Sequence, residues 1–168
     1  MNSYTDYELH QTPEPLARDL ISTLNLQPTD RLYEPFKGEG AFYDNFPAAN
    51  PKDWSEITKG RDFRTHEATY DWVITNPPFR VDGFGTKGNA IFPLIEYFTQ
   101  RAKKGVSFLV SDQGLGTLTR LRRQQLRQRG WDITSIVMCE VKKWRGRYYF
   151  ITFQPTTQTC LSFLPNAY

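Results

Sequence analysis

Trp72-Val73-Ile74-Thr75-Asn76-Pro77-Pro78-Phe79 is the stretch that decides how this chain is read. Its first half is an apolar, strand-forming run, and its second half stops that strand abruptly. Two successive prolines fix φ and remove two backbone N–H donors, so the chain leaves the sheet in one stiff conformation. Such an exit aims the Asn76 side-chain carbonyl and the Pro77 main-chain carbonyl into the space beyond the strand. Two acceptors held together suit a planar amino group that presents both hydrogens, and Phe79 offers a π-face to the ring carrying it. A plain strand-terminating turn is the simpler alternative; the preceding strand and the aromatic favour the functional reading.

Working outward, strands and helices alternate. Thr12-Pro13-Glu14 opens a helix, with Thr12 as N-cap, Pro13 at the first helical position, and Leu16, Leu20, Ile21 and Leu24 at helical spacing. A short strand over 32–35 runs into Lys37-Gly38-Glu39-Gly40, and Ala41-Phe42-Tyr43 reads as a helix start. Residues 54–57 and 60–63 are short strand candidates, and 71–75 is the strand before the prolines. A Gly-rich loop covers 83–88, and 91–103 reads as a helix. Val106 to Val110 is a continuous apolar run, as expected of a strand buried on both faces. A basic helix spans 117–129 and closes at Gly130. Two strands, 133–141 and 147–153, form a hairpin around Trp144-Arg145-Gly146, and the residues from Pro155 onward look irregular. The pattern predicts an α/β, Rossmann-like fold: a mostly parallel sheet with helices on both faces and a C-terminal antiparallel hairpin. At 168 residues, 1–168 reads as a single domain with no separate target-recognition domain.

Composition narrows the function classes. A mean hydropathy of −0.59 and the lack of any apolar stretch near eighteen residues exclude a membrane span. Met1 to His10 is polar, without an apolar targeting core, so the expectation is a cytoplasmic, non-secreted protein. Cys139 and Cys160 stand without a Cys/His cluster, which argues against a disulfide framework and against any metal site. Charge is asymmetric: residues 1–100 carry nine Lys/Arg against fifteen Asp/Glu, and residues 101–168 carry twelve against three. One face for a polyanion is the functional reading, and a solvated basic helix is the bland one.

Ligands of open α/β sheets bind beyond the carboxyl ends of the strands, where Glu34 to Gly40 falls. Gly38 and Gly40 let the backbone turn sharply and approach a ligand closely. Glu34 opens this turn, and Glu56 ends the next strand twenty-two residues on, where a carboxylate can accept from ribose hydroxyls. Gly-Lys-Ser/Thr is absent, so two carboxylates around a glycine turn suit a ligand with a ribose and a positive centre but no phosphate.

Together these segments resemble the S-adenosylmethionine-dependent amino-methyltransferases, in particular the adenine-N6 methyltransferases of DNA. The match covers roughly residues 10–80, with a looser fit beyond. His10-Gln11-Thr12-Pro13 looks like the family segment that lies over the methionine moiety. Glu34-Pro35-Phe36-Lys37-Gly38-Glu39-Gly40-Ala41-Phe42 is similar to the first motif, which cradles the same end of the cofactor. Glu56 stands in the place of the ribose-binding acid. Gly60-Arg61-Asp62-Phe63 resembles the Asp-Phe element, implying that Asp62 receives the adenine amino group and Phe63 packs on its ring. Asn76-Pro77-Pro78-Phe79 matches the catalytic motif. One departure stands out: only five residues separate Glu56 from Asp62, too few for the helix that usually intervenes. Either that helix is lost and the third strand is vestigial, or one of the two acids is misassigned.

The resemblance implies S-adenosyl-L-methionine as cofactor and methyl transfer to adenine N6 in nucleic acid, DNA being favoured over RNA. The cofactor-binding candidates are Thr12, Pro13, Glu34, Phe36, Gly38, Gly40, Glu56, Asp62 and Phe63. The catalytic candidates are Asn76, Pro77, Pro78 and Phe79. No general base is evident, and His10 and His66 read as surface or structural residues. Arg80 and Lys87 flank the loop after the catalytic motif. Lys142, Lys143, Arg145 and Arg147 surround Trp144 and Tyr148, a mix of cations and aromatics suited to nucleic acid, although a charged hairpin tip with core aromatics fits equally well. Target recognition would then come from loops, a partner chain or a homodimer. The alternatives are an RNA adenine-N6 methyltransferase, a protein-glutamine methyltransferase, which the basic balance disfavours, and a catalytically silent nucleic-acid-binding subunit.

Overall fold

Apolar runs punctuated by Gly and Pro become the strands of one six-stranded sheet. The structure, a computed structural model, describes residues 11–85, 89–142 and 144–156. Along the chain come α1 (Glu14–Ser22), β1 (Leu32–Glu34), β2 (Lys52–Trp54), β3 (Tyr70–Thr75), α2 (Ile91–Thr99), β4 (Ala102–Ser111), α3 (Asp112–Gly116), α4 (Arg120–Gln128), β5 (Trp131–Cys139) and β6 (Tyr148–Pro155). Strand order is β2-β1-β3-β4-β6-β5. The pairs β2–β1, β1–β3 and β3–β4 are parallel, whereas β6 runs antiparallel to both β4 and β5.

Strand alternation divides the core in two. Val73, Val106, Phe108, Ile151 and Phe153 pack with Leu94, Ile95 and Phe98 of α2 and Leu126 of α4. On the other face Leu32, Trp72, Ile74, Leu109 and Phe150 meet Ala17, Leu20 and Ile21 of α1. Helices therefore cover both faces, as the sequence predicts. Trp72 needs a gap opposite it. A Cβ on Gly105 would lie 2.1 Å from the indole, whose Nε1 donates to the buried Asp30 carboxylate at 3.1 Å.

Several boundaries depart from the sequence reading. Thr12 does not cap α1: Pro13 is the N-cap and no side chain caps that end. Residues 41–43 start no α-helix, only the 3-10 turn Tyr43–Asn45. The strand expected over 54–57 lies earlier, at Lys52–Trp54. Residues 60–63 form no strand; between Glu56 and Asp62 stand a 3-10 turn, Ile57–Lys59, and a single bridge from Glu56 to Arg61. No α-helix intervenes across the short spacing, and among the described residues no strand pairs outside β2. The helix expected over 91–103 stops at Thr99, because Ala102 already pairs with Tyr70 of β3. The basic helix is shorter than 117–129, and α3 precedes it unannounced, nucleated by Ser111 Oγ accepting from Gly114 N–H at 3.4 Å.

Helix α4 spends its cations on the fold. The Arg123 and Asp132 side chains are each 3% exposed and paired through Nε–Oδ1 at 2.7 Å and Nη2–Oδ2 at 3.2 Å. Arg127 reaches the same carboxylate at 3.5 Å, Arg129 pairs with Glu96 at 3.1 Å, and Arg122 donates to the Thr117 carbonyl at 2.9 Å. These four of the twelve Lys/Arg after residue 100 are thus held by partners within the fold.

Candidate active site

Parallel strands end at one edge of the sheet, and there a cavity of about 960 Å³ opens. Its walls come from segments far apart in sequence: Gln11 and Thr12 before α1, the turn after β1, residues 56–58, the segment after β3, Ser111 at the end of β4 with Gln113 just beyond it, and Tyr148 at the start of β6.

The first wall is the glycine turn. Gly38 and Gly40 adopt φ of 52° and 98°, a left-handed backbone that disfavours side chains, and a Cβ on Gly40 would press to 2.6 Å from the Asp44 carboxylate. Glu34, 2% exposed, accepts from the Tyr43 N–H at 2.7 Å. Burial pushes its carboxyl well above the usual range, against the pull of that N–H and of Lys37. A carboxyl in this state gains most from a cation placed beside it. Glu56, 5% exposed, accepts from Gly38 N–H at 2.9 Å through Oε2, and from Thr58 N–H at 3.1 Å and Thr58 Oγ1 at 2.7 Å through Oε1. Phe36 lies edge-on to Phe63, ring centres 5.0 Å apart.

Asp62 is placed differently from its neighbours. Phe63 and Arg64 line the cavity, whereas the Asp62 carboxylate caps the 3-10 turn Phe63–Thr65 and clamps Arg64, whose Nε donates to both oxygens at 2.9 and 2.8 Å. The Arg64 guanidinium holds the Asp62 carboxyl below its usual range. Pro13 is exposed outside the cavity, and its carbonyl starts α1 by accepting from Ala17 N–H.

The second wall is Asn76-Pro77-Pro78-Phe79. All four residues face the cavity, immediately beyond the last residue of β3. Asn76 Nδ2 donates to Thr12 Oγ1 at 3.2 Å. The Phe79 carbonyl accepts from Ala90 N–H at 2.8 Å, which anchors the far end of the turn to the start of α2. Arg80, exposed, stands at the rim.

Ile57, Ser111 and Gln113 also line the cavity and were not singled out from sequence, whereas Tyr148, read there as an aromatic of the nucleic-acid face, lines it too. Ile57 carried a signal: a large apolar residue directly after the ribose-acid candidate, here 66% exposed and open to a ligand. Of the hairpin residues, Lys142, Arg145 and Arg147 are exposed. Trp144 is not: it is 9% exposed and packs on Tyr148 in the core, ring centres 4.5 Å apart, so its indole face is turned inward. Lys87 and Lys143 lie outside the described residues, as does His10. His66 stacks on Tyr33 at 4.1 Å, away from the cavity, and burial holds its pKa below the usual value. Among the described residues no group of three or more His, Cys, Asp or Glu is placed to hold a metal ion, and no helix is long and apolar enough to cross a membrane.

Sheet order, the glycine turn after β1 and the inserted antiparallel β6 define the Rossmann-like fold of the class I methyltransferases. No protein-family model and no curated protein matches the chain. Solved structures do. A Pyrococcus horikoshii protein provisionally described as an RNA methyltransferase superposes with a TM-score of 0.67 at 16% identity, covering 92% of this chain and 91% of that one. A modification subunit of a provisionally assigned type I restriction enzyme from Vibrio vulnificus gives 0.64 at 13%, over 89% of this chain and 45% of the subunit. A Listeria monocytogenes protein provisionally described as a class I S-adenosylmethionine-dependent methyltransferase gives 0.66 at 14%, over 94% and 64%. At these identities the likeness establishes the fold.

Proposed function

We propose that this chain transfers a methyl group from S-adenosylmethionine to the exocyclic N6 nitrogen of adenine in DNA. The observation that carries this reading is the position of Asn76-Pro77-Pro78-Phe79: it leaves the parallel sheet directly into a large cavity that also holds two buried carboxylates and a glycine turn.

The residues present fit the cofactor. Glu34, buried with its carboxyl pushed up, is suited to a ligand carrying positive charge, and Glu56 offers acceptors for ribose hydroxyls beside the exposed Ile57. When bound, S-adenosylmethionine supplies an already activated methyl group on a sulfonium. This chain's residues then need only bind, orient and desolvate. The amino nitrogen of adenine is a poor nucleophile, its lone pair being delocalised into the ring. Accepting its two hydrogens at Asn76 Oδ1 and the Pro77 carbonyl would favour a more tetrahedral nitrogen. Phe79 would stack on the base, an interaction worth about 1–3 kcal/mol. In duplex DNA the base must first leave the helix stack, and a cavity of about 960 Å³ is at the upper end of the roughly 300–1,000 Å³ range of small-molecule sites, roomy enough for a cofactor and a flipped base. To take the cofactor adenine amino group, as the motif implies, the Asp62 carboxylate would have to turn from Arg64 toward the cavity that Phe63 and Arg64 line. Backbone phosphates would meet Arg80 at the rim and Lys142, Arg145 and Arg147 near Tyr148, joined by Lys87 and Lys143.

DNA is preferred because the order of motifs resembles that of the DNA adenine enzymes; the similar folds include both a protein provisionally described as an RNA methyltransferase and a restriction-modification subunit and favour neither. This chain spans 45% of that subunit; target selection by loops or by a partner chain is part of the proposal. The test is methyl transfer from tritiated S-adenosylmethionine to DNA, RNA and protein pools, followed by nucleoside analysis. N6-methyldeoxyadenosine is the expected product. Label in RNA alone would move the substrate class, and label in protein, methylcytosine or no label would overturn the reading.

A further inference from the structure

The segment ahead of α1 bridges the two halves of the cavity with adjacent residues. On the glycine-turn side Gln11 Oε1 accepts from Glu39 N–H at 3.4 Å, and on the reacting side Thr12 Oγ1, in a residue only 8% exposed, accepts from Asn76 Nδ2 at 3.2 Å. We infer that Thr12 is a positioning residue for methyl transfer: its hydroxyl holds the Asn76 amide with Nδ2 turned away from the incoming base and Oδ1 toward it. The inference rests on the proposed function and deepens it by assigning Thr12 to the amide rather than to the cofactor.

The chemistry favours this assignment. A primary amide has two unlike ends, and half a turn about its last bond exchanges an acceptor for two donors. The target amino group presents only N–H, so an Asn76 turned the wrong way would set donor against donor. A partner that accepts from Nδ2 stabilises the productive rotamer. A hydroxyl does this and a methyl group cannot. The carrier of that hydroxyl is itself stiff. Thr12 is β-branched, and preceding Pro13 confines its backbone to extended conformations. The next turn is anchored by Pro13 O accepting from Ala17 N–H at 3.0 Å. No proton moves through Thr12 and no bond changes there; its effect is on geometry, where a misplacement of about 1 Å costs roughly a hundredfold in rate.

The experiment compares the parent, Thr12→Ser and Thr12→Val as full chains. Methyl transfer by the parent is measured first, because its absence removes the proposed function itself. With an active parent, Thr12→Val should lower kcat at saturating cofactor and nucleic acid roughly tenfold to a hundredfold. Cofactor Kd, from calorimetry, should change by less than about threefold. Thr12→Ser should restore most of the turnover. The side-chain amide of Asn76, identified in ¹⁵N spectra by its loss in Asn76→Asp, should shift in Thr12→Val and return in Thr12→Ser without cofactor or substrate present. A thermal midpoint near the parent's shows that the variants are folded. Unchanged kcat in a folded Thr12→Val, or a loss of cofactor affinity as large as the loss in kcat, overturns the positioning role.

Discussion

Glu56 and Gly38 are tied by a hydrogen bond of 2.9 Å from the glycine N–H to a carboxylate that is itself almost fully buried. The acid that stands after β2 therefore also sets the shape of the turn after β1. Removing it should do more than weaken one ligand interaction. Glu56→Ala leaves the Gly38 and Thr58 N–H groups without this acceptor, at a cost of about 1–3 kcal/mol for a buried unsatisfied group. Calorimetry should show weaker cofactor binding, and hydrogen exchange should show a faster-exchanging Gly38 amide in the unliganded protein. An unaltered exchange rate would mean that the turn keeps its shape without Glu56.

Asn76→Ala should abolish methyl transfer while leaving cofactor affinity close to that of the parent, since the amide is assigned to an interaction strongest in the transition state. Asn76→Asp should retain some activity, because a carboxylate oxygen still accepts from the amino group. Phe79→Ala should lower substrate affinity and rate together, and Phe79→Tyr or Phe79→Trp should be tolerated better. Single-turnover rates alongside cofactor titration check all five variants.

The raised pKa of Glu34 gives a pH signature with a definite sign. Folded and unliganded, this carboxyl keeps its proton to higher pH than the unfolded chain, whose ordinary value is 4.5. Stability of the unliganded protein should therefore fall as pH rises from that value through the folded pKa. Glu34→Gln should flatten this dependence. Binding of a cationic cofactor favours the ionised form, so affinity should rise with pH over the same window, and calorimetry in buffers of different ionisation enthalpy should detect proton release. No release would separate Glu34 from the positive centre of the ligand.

Alanine replacement of Lys142, Arg145 and Arg147 should weaken nucleic-acid binding and reduce the slope of log affinity against log salt by about 0.7–0.9 for each phosphate no longer neutralised. Cofactor affinity should hold. An unchanged slope would shift phosphate binding to Arg80 and the loop that follows it.

Arg123→Met tests the buried ion pair. With the guanidinium gone, Asp132 keeps a buried charge beside the half-exposed Arg127. Loss of one partner of such a pair costs about 3–5 kcal/mol, so denaturant unfolding should reveal a marked destabilisation. Asp132→Asn in the same background should recover part of it.

How much of this was legible in the sequence depends on whether a residue's partner is local. Strands β1, β3 and the apolar centre of β4 were plain because each is a short apolar run bounded by turn residues. The overlong helix after residue 91 was not, since Ala102 and Lys103 read as helix formers until Ala102 finds Tyr70 across the sheet. Helix α3, Asp-Gln-Gly-Leu-Gly, carries two helix-weakening glycines and exists through its cap. Most of the candidate motif residues fall along one cavity, though Pro13, Gly40 and Asp62 do not line it; motif order and spacing survive in the linear chain. The basic helix read as either part of a polyanion face or merely solvated, but Arg123 and Arg127 of α4 serve Asp132 and Arg129 beyond its end serves Glu96, partners that no local pattern reveals. The same holds for Thr12 and Asn76, 64 residues apart.

The strand order has a consequence for biosynthesis. Strand β6 fills the slot between β4 and β5, yet it is the last strand of the described chain. As the polypeptide leaves the ribosome, β5 emerges with no neighbour to hydrogen-bond, and its unpaired edge waits until residues 148–155 are also out. The half of the sheet carrying β1 to β3 has all its mutual partners much earlier. Nascent chains are thus expected to pass through a state with one finished half and one open seam, the kind of exposed edge that chaperones cover. A stall before Tyr148 would leave that seam unclosable, whereas a stall after Pro155 would not.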